Sequence, residues 1–154
     1  MKNTFDLRLA NFKDIDLVFS WSNDKLVRNN SFDKTKILYS KHTNWFKKNL
    51  KKKNIFIFTR YKKPIGLVRF SDFNKGIKIS YLLSLENRGK KFGYKMLNYF
   101  YDKIKKRRSF KNKKIYAFTI KNNVASKKSL LRSGFKYLGL RYKQNCYFRK
   151  INDN

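Results

Sequence analysis

The chain is short of the residues on which small proteins usually hang special chemistry. It has one cysteine, Cys146, and one histidine, His42, so no internal disulfide can form and no Cys/His cluster can hold zinc. A reducing cytoplasm and metal-free chemistry are the expectation. One proline and six glycines in 154 residues leave no linker or low-complexity segment. No run approaches the roughly eighteen apolar residues of a membrane span. The N-terminal MKNTFDLRLANFKDIDLVFSW scatters charge where a signal peptide needs an unbroken apolar core. A soluble chain is expected.

Acids are scarce as well, 9 against 40 Lys and Arg, which gives a net charge of +31. Such a charge points toward nucleic acid. However, Lys, Asn, Phe, Ile and Tyr all have A/T-rich codons, so a biased genome yields the same composition without selection for binding. The basic residues are spread along the chain, and no nucleic-acid motif is present. On either origin the surface attracts anionic small molecules, and affinity for polyanions falls steeply with salt.

What the sequence does have is material for a core. Aromatic residues make up 18% and hydrophobic residues 41%, which excludes disorder, and the length suits one domain over residues 1–154. Alternation over 5–10 predicts a strand, and Ile15, Val18 and Phe19 predict a helix over 14–21. After the polar NDKLVRNNSFDK, helical spacing resumes over 37–50, giving two or three short helices. Residues 54–60, 65–73 and 76–85 read as a three-strand meander joined by the turns YKKP and NKG. Phe92, Met96, Phe100 and Ile104 mark a helix from 91 toward 108. A strand at 113–120, a helix from an Asn123 cap to Gly134, and strands at 135–142 and 146–151 complete an α/β chain with mixed strand directions.

Two stretches carry chemistry. A strand followed by RGKKFG and a helix lets backbone N–H groups converge beside a positive helix N-terminus, which is how a pyrophosphate is held. Arg88 and Gly89 start the turn, Lys90 and Lys91 continue it, Gly93 leaves room for a phosphate to approach the backbone, and Tyr94 follows. No Walker A or GxGxxG occurs, so nucleotide hydrolysis and dinucleotide binding lack support. About thirty residues later comes the second stretch, Asn123-Val124-Ala125-Ser126 followed by Gly134-Phe135.

Together these resemble the GNAT N-acetyltransferase superfamily. Its phosphate turn, Arg/Gln-x-x-Gly-x-Gly/Ala, corresponds here to Arg88 through Gly93. The resemblance implies a mixed, mostly antiparallel sheet of about seven strands flanked by helices, and acetyl-CoA as co-substrate. It further implies a pantetheine arm along the backbone of Leu83 and Leu85, with Asn123 and Ser126 close by. Two positions depart from the pattern. Lys91 stands where the family has glycine; a helical, negative φ there would let the lysine stand at little cost, with its ammonium free for phosphate. Leu130 stands where many members carry a proton-donating tyrosine.

The run Trp21, Asn23, Asp24, Arg28, Ser31, His42, Trp45 and Phe46 resembles the members that acetylate a nucleotide-linked 4-amino-4,6-dideoxy sugar on the way to pseudaminic or related nonulosonic acids. Trp21 and Trp45 offer stacking faces, and Arg28 could meet a diphosphate. Against this, tryptophans at helical spacing are as readily core, and a helical histidine is as readily packed as catalytic. The reaction implied is direct attack of a neutral amine on the thioester, needing a base and an oxyanion donor. Glu86, Asp24 and His42 are the candidate bases, with Tyr81 and Ser80 as polar groups beside the thioester. Acetylation of protein N-termini, including those of ribosomal proteins, is a second reading, and a non-catalytic basic nucleic-acid module a third. Expected partners are a small-molecule amine, nucleic acid only through non-specific charge, no membrane, and a homodimer as one option.

Overall fold

The computed structural model describes residues 4–152; residues 1–3 and 153–154 of the expected 1–154 domain lie outside the described residues. Strand β1 (Phe5–Leu9) leads into three helices, α1 (Ile15–Ser22), α2 (Lys25–Asn29) and α3 (Tyr39–Lys51). The meander β2 (Ile55–Arg60), β3 (Lys63–Phe73) and β4 (Gly76–Leu83) follows, then helix α4 (Phe92–Lys105). Strand β5 (Lys114–Thr119), helix α5 (Val124–Arg132) and the hairpin β6 (Lys136–Arg141) and β7 (Gln144–Lys150) complete the chain. Among the described residues, no helix is long and apolar enough to cross a membrane.

The seven strands form one sheet in the order β1-β2-β3-β4-β5-β7-β6. Every pairing is antiparallel except β4 with β5. The fold is therefore the mixed α/β sheet expected, with three helices between β1 and β2. The shortage of glycine shows in the hairpins. Their two-residue turns, Tyr61-Lys62, Asn74-Lys75 and Tyr142-Lys143, all have positive φ at both positions, the geometry that matches strand twist and that glycine or asparagine usually supplies.

Period-2 alternation gives the sheet two apolar faces. On one face Val68, Ile77, Ile79 and Ile115 pack under α4 and α5, against Met96, Phe100, Ile104 and Leu130. On the other, Ile55, Ile57 and Leu67 pack against Val18 of α1 and Phe46 of α3. The helices α1 to α3 cover only part of this second face. Beyond them the sheet opens onto a cleft.

Candidate active site

The cleft exists because β4 and β5 part company. Their parallel pairing runs Ile77↔Ile115, Lys78↔Tyr116 and Ile79↔Ala117 and then stops, while β4 stays paired with β3 as far as Leu83↔Gly66. Residues 80–83 thus present an open strand edge toward β5, able to pair with an extended amide chain. A cleft of about 1460 Å³ passes through this opening, from the start of α4 on one side of the sheet to the loop after α2 on the other.

At one end lies the turn before α4. Residues 85–87 form a single 3-10 turn, Gly89 has φ +72, and Lys91 is the N-cap of α4. Lys91 has φ 61 and ψ 19, left-handed and not the negative φ under which a lysine would be cheap. The reason is geometric: the chain must turn sharply from the 3-10 turn into α4, a conformation that glycine adopts without the strain of a Cβ. Gly93 is required by the packing of the helices. A Cβ built there would lie 2.6 Å from Ser129 Oγ, so its smallness lets α4 and α5 approach each other. Gly93 still lines the cleft, as do Arg88, Gly89 and Lys91, whereas Lys90, Tyr94 and Leu85 are not among its lining residues. Tyr94 instead lies under the Arg132 guanidinium, 3.9 Å from the ring centroid.

Arg88 and Asp24, read from the sequence as phosphate ligand and base, meet each other. Arg88 Nη2 lies 2.8 Å from Asp24 Oδ1, and Arg88 Nε donates to the Leu83 carbonyl at 3.1 Å. The same Asp24 oxygen caps α2, accepting from Leu26 N and Val27 N. Burial by itself would raise the Asp24 carboxyl, but the Arg88 hydrogen bond and charge and the two N–H groups hold it below the ordinary carboxylate range. A carboxylate so stabilised is a weak base. Arg88 Nη1 is buried and has no hydrogen-bond partner.

The mouth of α5 supplies hydroxyls. Asn123 Oδ1 caps the helix by accepting from Ser126 N at 3.1 Å, and Asn123, Ser126 and Ser129 all line the cleft. Tyr81 reaches across from β4: its hydroxyl lies 2.5 Å from Ser126 Oγ and 3.2 Å from the Ser126 carbonyl oxygen. Burial pushes the Tyr81 phenol up, so it stays protonated. Leu130 is fully buried in the core under the sheet. Ser129 was not legible in the sequence as a site residue, because nothing in KKSLLR marks which helix face meets Gly93.

On the far side of the sheet the N-terminal residues divide between scaffold and wall. Asn23 donates to the Ile37 carbonyl and accepts from Ile37 N, tying α1 to the segment before α3. Trp21 packs against the core between α1 and α3. Arg28 Nη1 donates to the Asp33 and Thr35 carbonyls and Nη2 to Ser31 Oγ, which orders the loop after α2, while its Nε is buried without a partner. His42 is 2% exposed. Its Nε2 lies 2.8 Å from the Ile15 carbonyl, to which it donates, and its ring sits among Phe19, Trp45 and Phe46. Burial lowers its pKa, so it is neutral. Arg28, Ser31, His42 and Trp45 line the cleft; Trp21, Asn23, Asp24 and the exposed Glu86 do not.

A model of the acetyltransferase (GNAT) domain family matches residues 5–136. No curated protein sequence matches significantly. Solved structures do match in fold. A domain from Methanocaldococcus jannaschii superposes with a TM-score of 0.80 at 20% identity, covering 95% of this chain and 97% of that one. A ribosomal L7/L12 alpha-N-protein acetyltransferase in complex with coenzyme A gives 0.80 at 14%, covering 97% and 95%. A spermidine N-acetyltransferase from Vibrio cholerae, in complex with CoA and spermine, gives 0.79 at 17%, covering 96% and 94%.

Proposed function

Since the chain belongs to the GNAT acetyltransferase family and so is an N-acetyltransferase, we propose that it transfers acetyl from acetyl-CoA to the primary amine of a nucleotide-linked 4-amino-4,6-dideoxy sugar. Residues 1–154 act as one such domain, in the cytoplasm. The observation that supports acetyl-CoA as the donor in this reading is the parting of β4 from β5 after Ile79 and Ala117, directly beside the turn that opens α4.

The residues present fit acetyl-CoA. The open edge at residues 80–83 pairs with the amide arm. The turn from Arg88 to Lys91 and the first turn of α4, whose N–H groups lack partners within the helix, take the phosphates. Asn123 and Ser126 flank the arm from α5. Acetyl-CoA supplies an acyl group activated as a thioester; the chain supplies position and a proton. The amine nitrogen bonds to the acyl carbon, the carbon–sulfur bond breaks, Tyr81 gives its proton to the departing sulfur, and the proton released by the amine passes through water to restore the Tyr81 phenol. Held protonated by burial and placed by Ser126, Tyr81 takes the role that Leu130 cannot. Asp24 and His42 act as scaffold, the one paired with Arg88 and the other bonded to Ile15, so the acceptor enters as a free amine.

The test is release of CoA thiol with a UDP-linked 4-amino-4,6-dideoxy sugar, run beside an N-terminal peptide of ribosomal protein L7/L12. Turnover with the sugar and a Tyr81→Phe variant whose kcat drops about 100-fold at unchanged KM for acetyl-CoA are expected. Turnover on the peptide alone would replace the acceptor, and a Tyr81→Phe enzyme as fast as the parent would remove Tyr81 from the chemistry.

A further inference from the structure

The floor of the cleft on the side away from α4 is a strip of β3 and β4 that the helix layer leaves uncovered. In the register of these strands Arg69 stands opposite Ser80 and Ser71 opposite Lys78, so all four side chains share one face, and all four line the cleft. Arg69 is the unusual member. Its guanidinium carbon lies 5.0 Å from the centroid of the Trp45 ring, and among the described residues no hydrogen bond or ion pair engages the guanidinium. The cation–π contact holds the group beside the ring and leaves its donor fork free.

The charges around it are mostly of its own sign. Arg69 is exposed to the open cleft, and Arg28, with its own buried and unpartnered Nε, is the like charge that acts on it. Seven basic side chains line the cleft against one acid, Asp33. In a chain of 40 basic and 9 acidic residues that ratio alone decides little. What matters is where that acid acts: Asp33 interacts with Arg28 and Lys41, and no carboxylate acts on Arg69. Two guanidinium groups therefore share one wall of the cleft, Arg28 with Asp33 beside it and Arg69 with no carboxylate of its own, an arrangement that an anionic ligand at Arg69 relieves.

We infer that Arg69, stacked on Trp45 and flanked by Ser80, Ser71 and Lys78, is the residue that selects the acceptor, and that it selects an amine that also carries a phosphate or carboxylate group. The inference rests on the acetyltransferase reading above. It assigns anion recognition to Arg69, whereas Arg28 orders the loop after α2. It also sets the acceptor apart from polyamines, for which a cleft needs free acids.

Calorimetric titration of inorganic pyrophosphate into CoA-saturated protein, at fixed ionic strength, tests it. With the CoA site filled, saturable binding is expected. Arg69→Gln weakens it at least ten-fold and Arg69→Lys less, with the affinity for CoA unchanged in both. Lys106→Gln, at the exposed end of α4 away from the cleft, leaves it intact. Glutarate in a parallel titration shows whether a carboxylate serves as well. No saturable binding of either anion, spermidine binding more tightly than both, or equal weakening by Lys106→Gln overturns the inference. A protein that CoA cannot saturate brings down the acetyltransferase reading first and this one with it, whereas CoA binding without an anion site removes this one alone.

Discussion

Lys91 holds a left-handed backbone that costs an L-residue about 1–2 kcal/mol, and it does so at the entrance to α4, where φ is 61. Lys91→Gly should therefore stabilise the fold by up to about 1 kcal/mol, glycine's greater unfolded-state entropy offsetting part of the gain. Urea midpoints would show it, and a lower midpoint would mean that the lysine side chain contributes more than its backbone loses. If the backbone N–H and not the ammonium meets the phosphate, CoA affinity in that variant stays within roughly three-fold of the parent. His42 makes a prediction of another kind. Its folded pKa lies below the unfolded value of about 6.5, so the unfolded chain binds more protons as pH falls through that value. The stability associated with the neutral ring is complete above about pH 6.5 and declines below it. Melting temperatures at pH 7.5 and 5.5 should differ by more in the parent than in His42→Gln; an equal difference would detach His42 from the acid sensitivity.

At the scale of elements, the contact between α4 and α5 rests on Gly93. Gly93→Ala places a methyl 2.6 Å from Ser129 Oγ, which should destabilise the protein by about 1–2 kcal/mol. Combining it with Ser129→Ala should recover part of the loss, a coupling that a double-mutant cycle measures; strict additivity would show that the two side chains do not compete for space. The order and type of the elements were legible because apolar residues recur at periods of 2 and 3.6, and the turn into α4 and the Asn123 cap were legible because both are local. The partners of those residues were not. That Arg88 closes on Asp24, that Gly93 serves Ser129, and that Arg69 faces Trp45 are outcomes of packing between segments 24 to 64 residues apart, which no local pattern encodes. The sign of φ at Lys91 belongs with them, since lysine gives no hint that a turn demands a glycine's conformation.

At the scale of the whole molecule, a sheet pried open between its fourth and fifth strands brings the turn before α4, the α5 hydroxyls and the cationic floor into one cleft. The charge of +31 draws anions toward it at long range and is screened by salt, whereas the strand edge and the turn act at contact. A ligand held by contact should stabilise the fold even at 0.5 M salt. The most direct measurement is thus the melting temperature with and without millimolar acetyl-CoA at that ionic strength. Saturation near 100 times the dissociation constant adds about 2.7 kcal/mol, a rise of several degrees for a domain of this length. An unchanged melting temperature would contradict the claim that the opening between β4 and β5 is a CoA site.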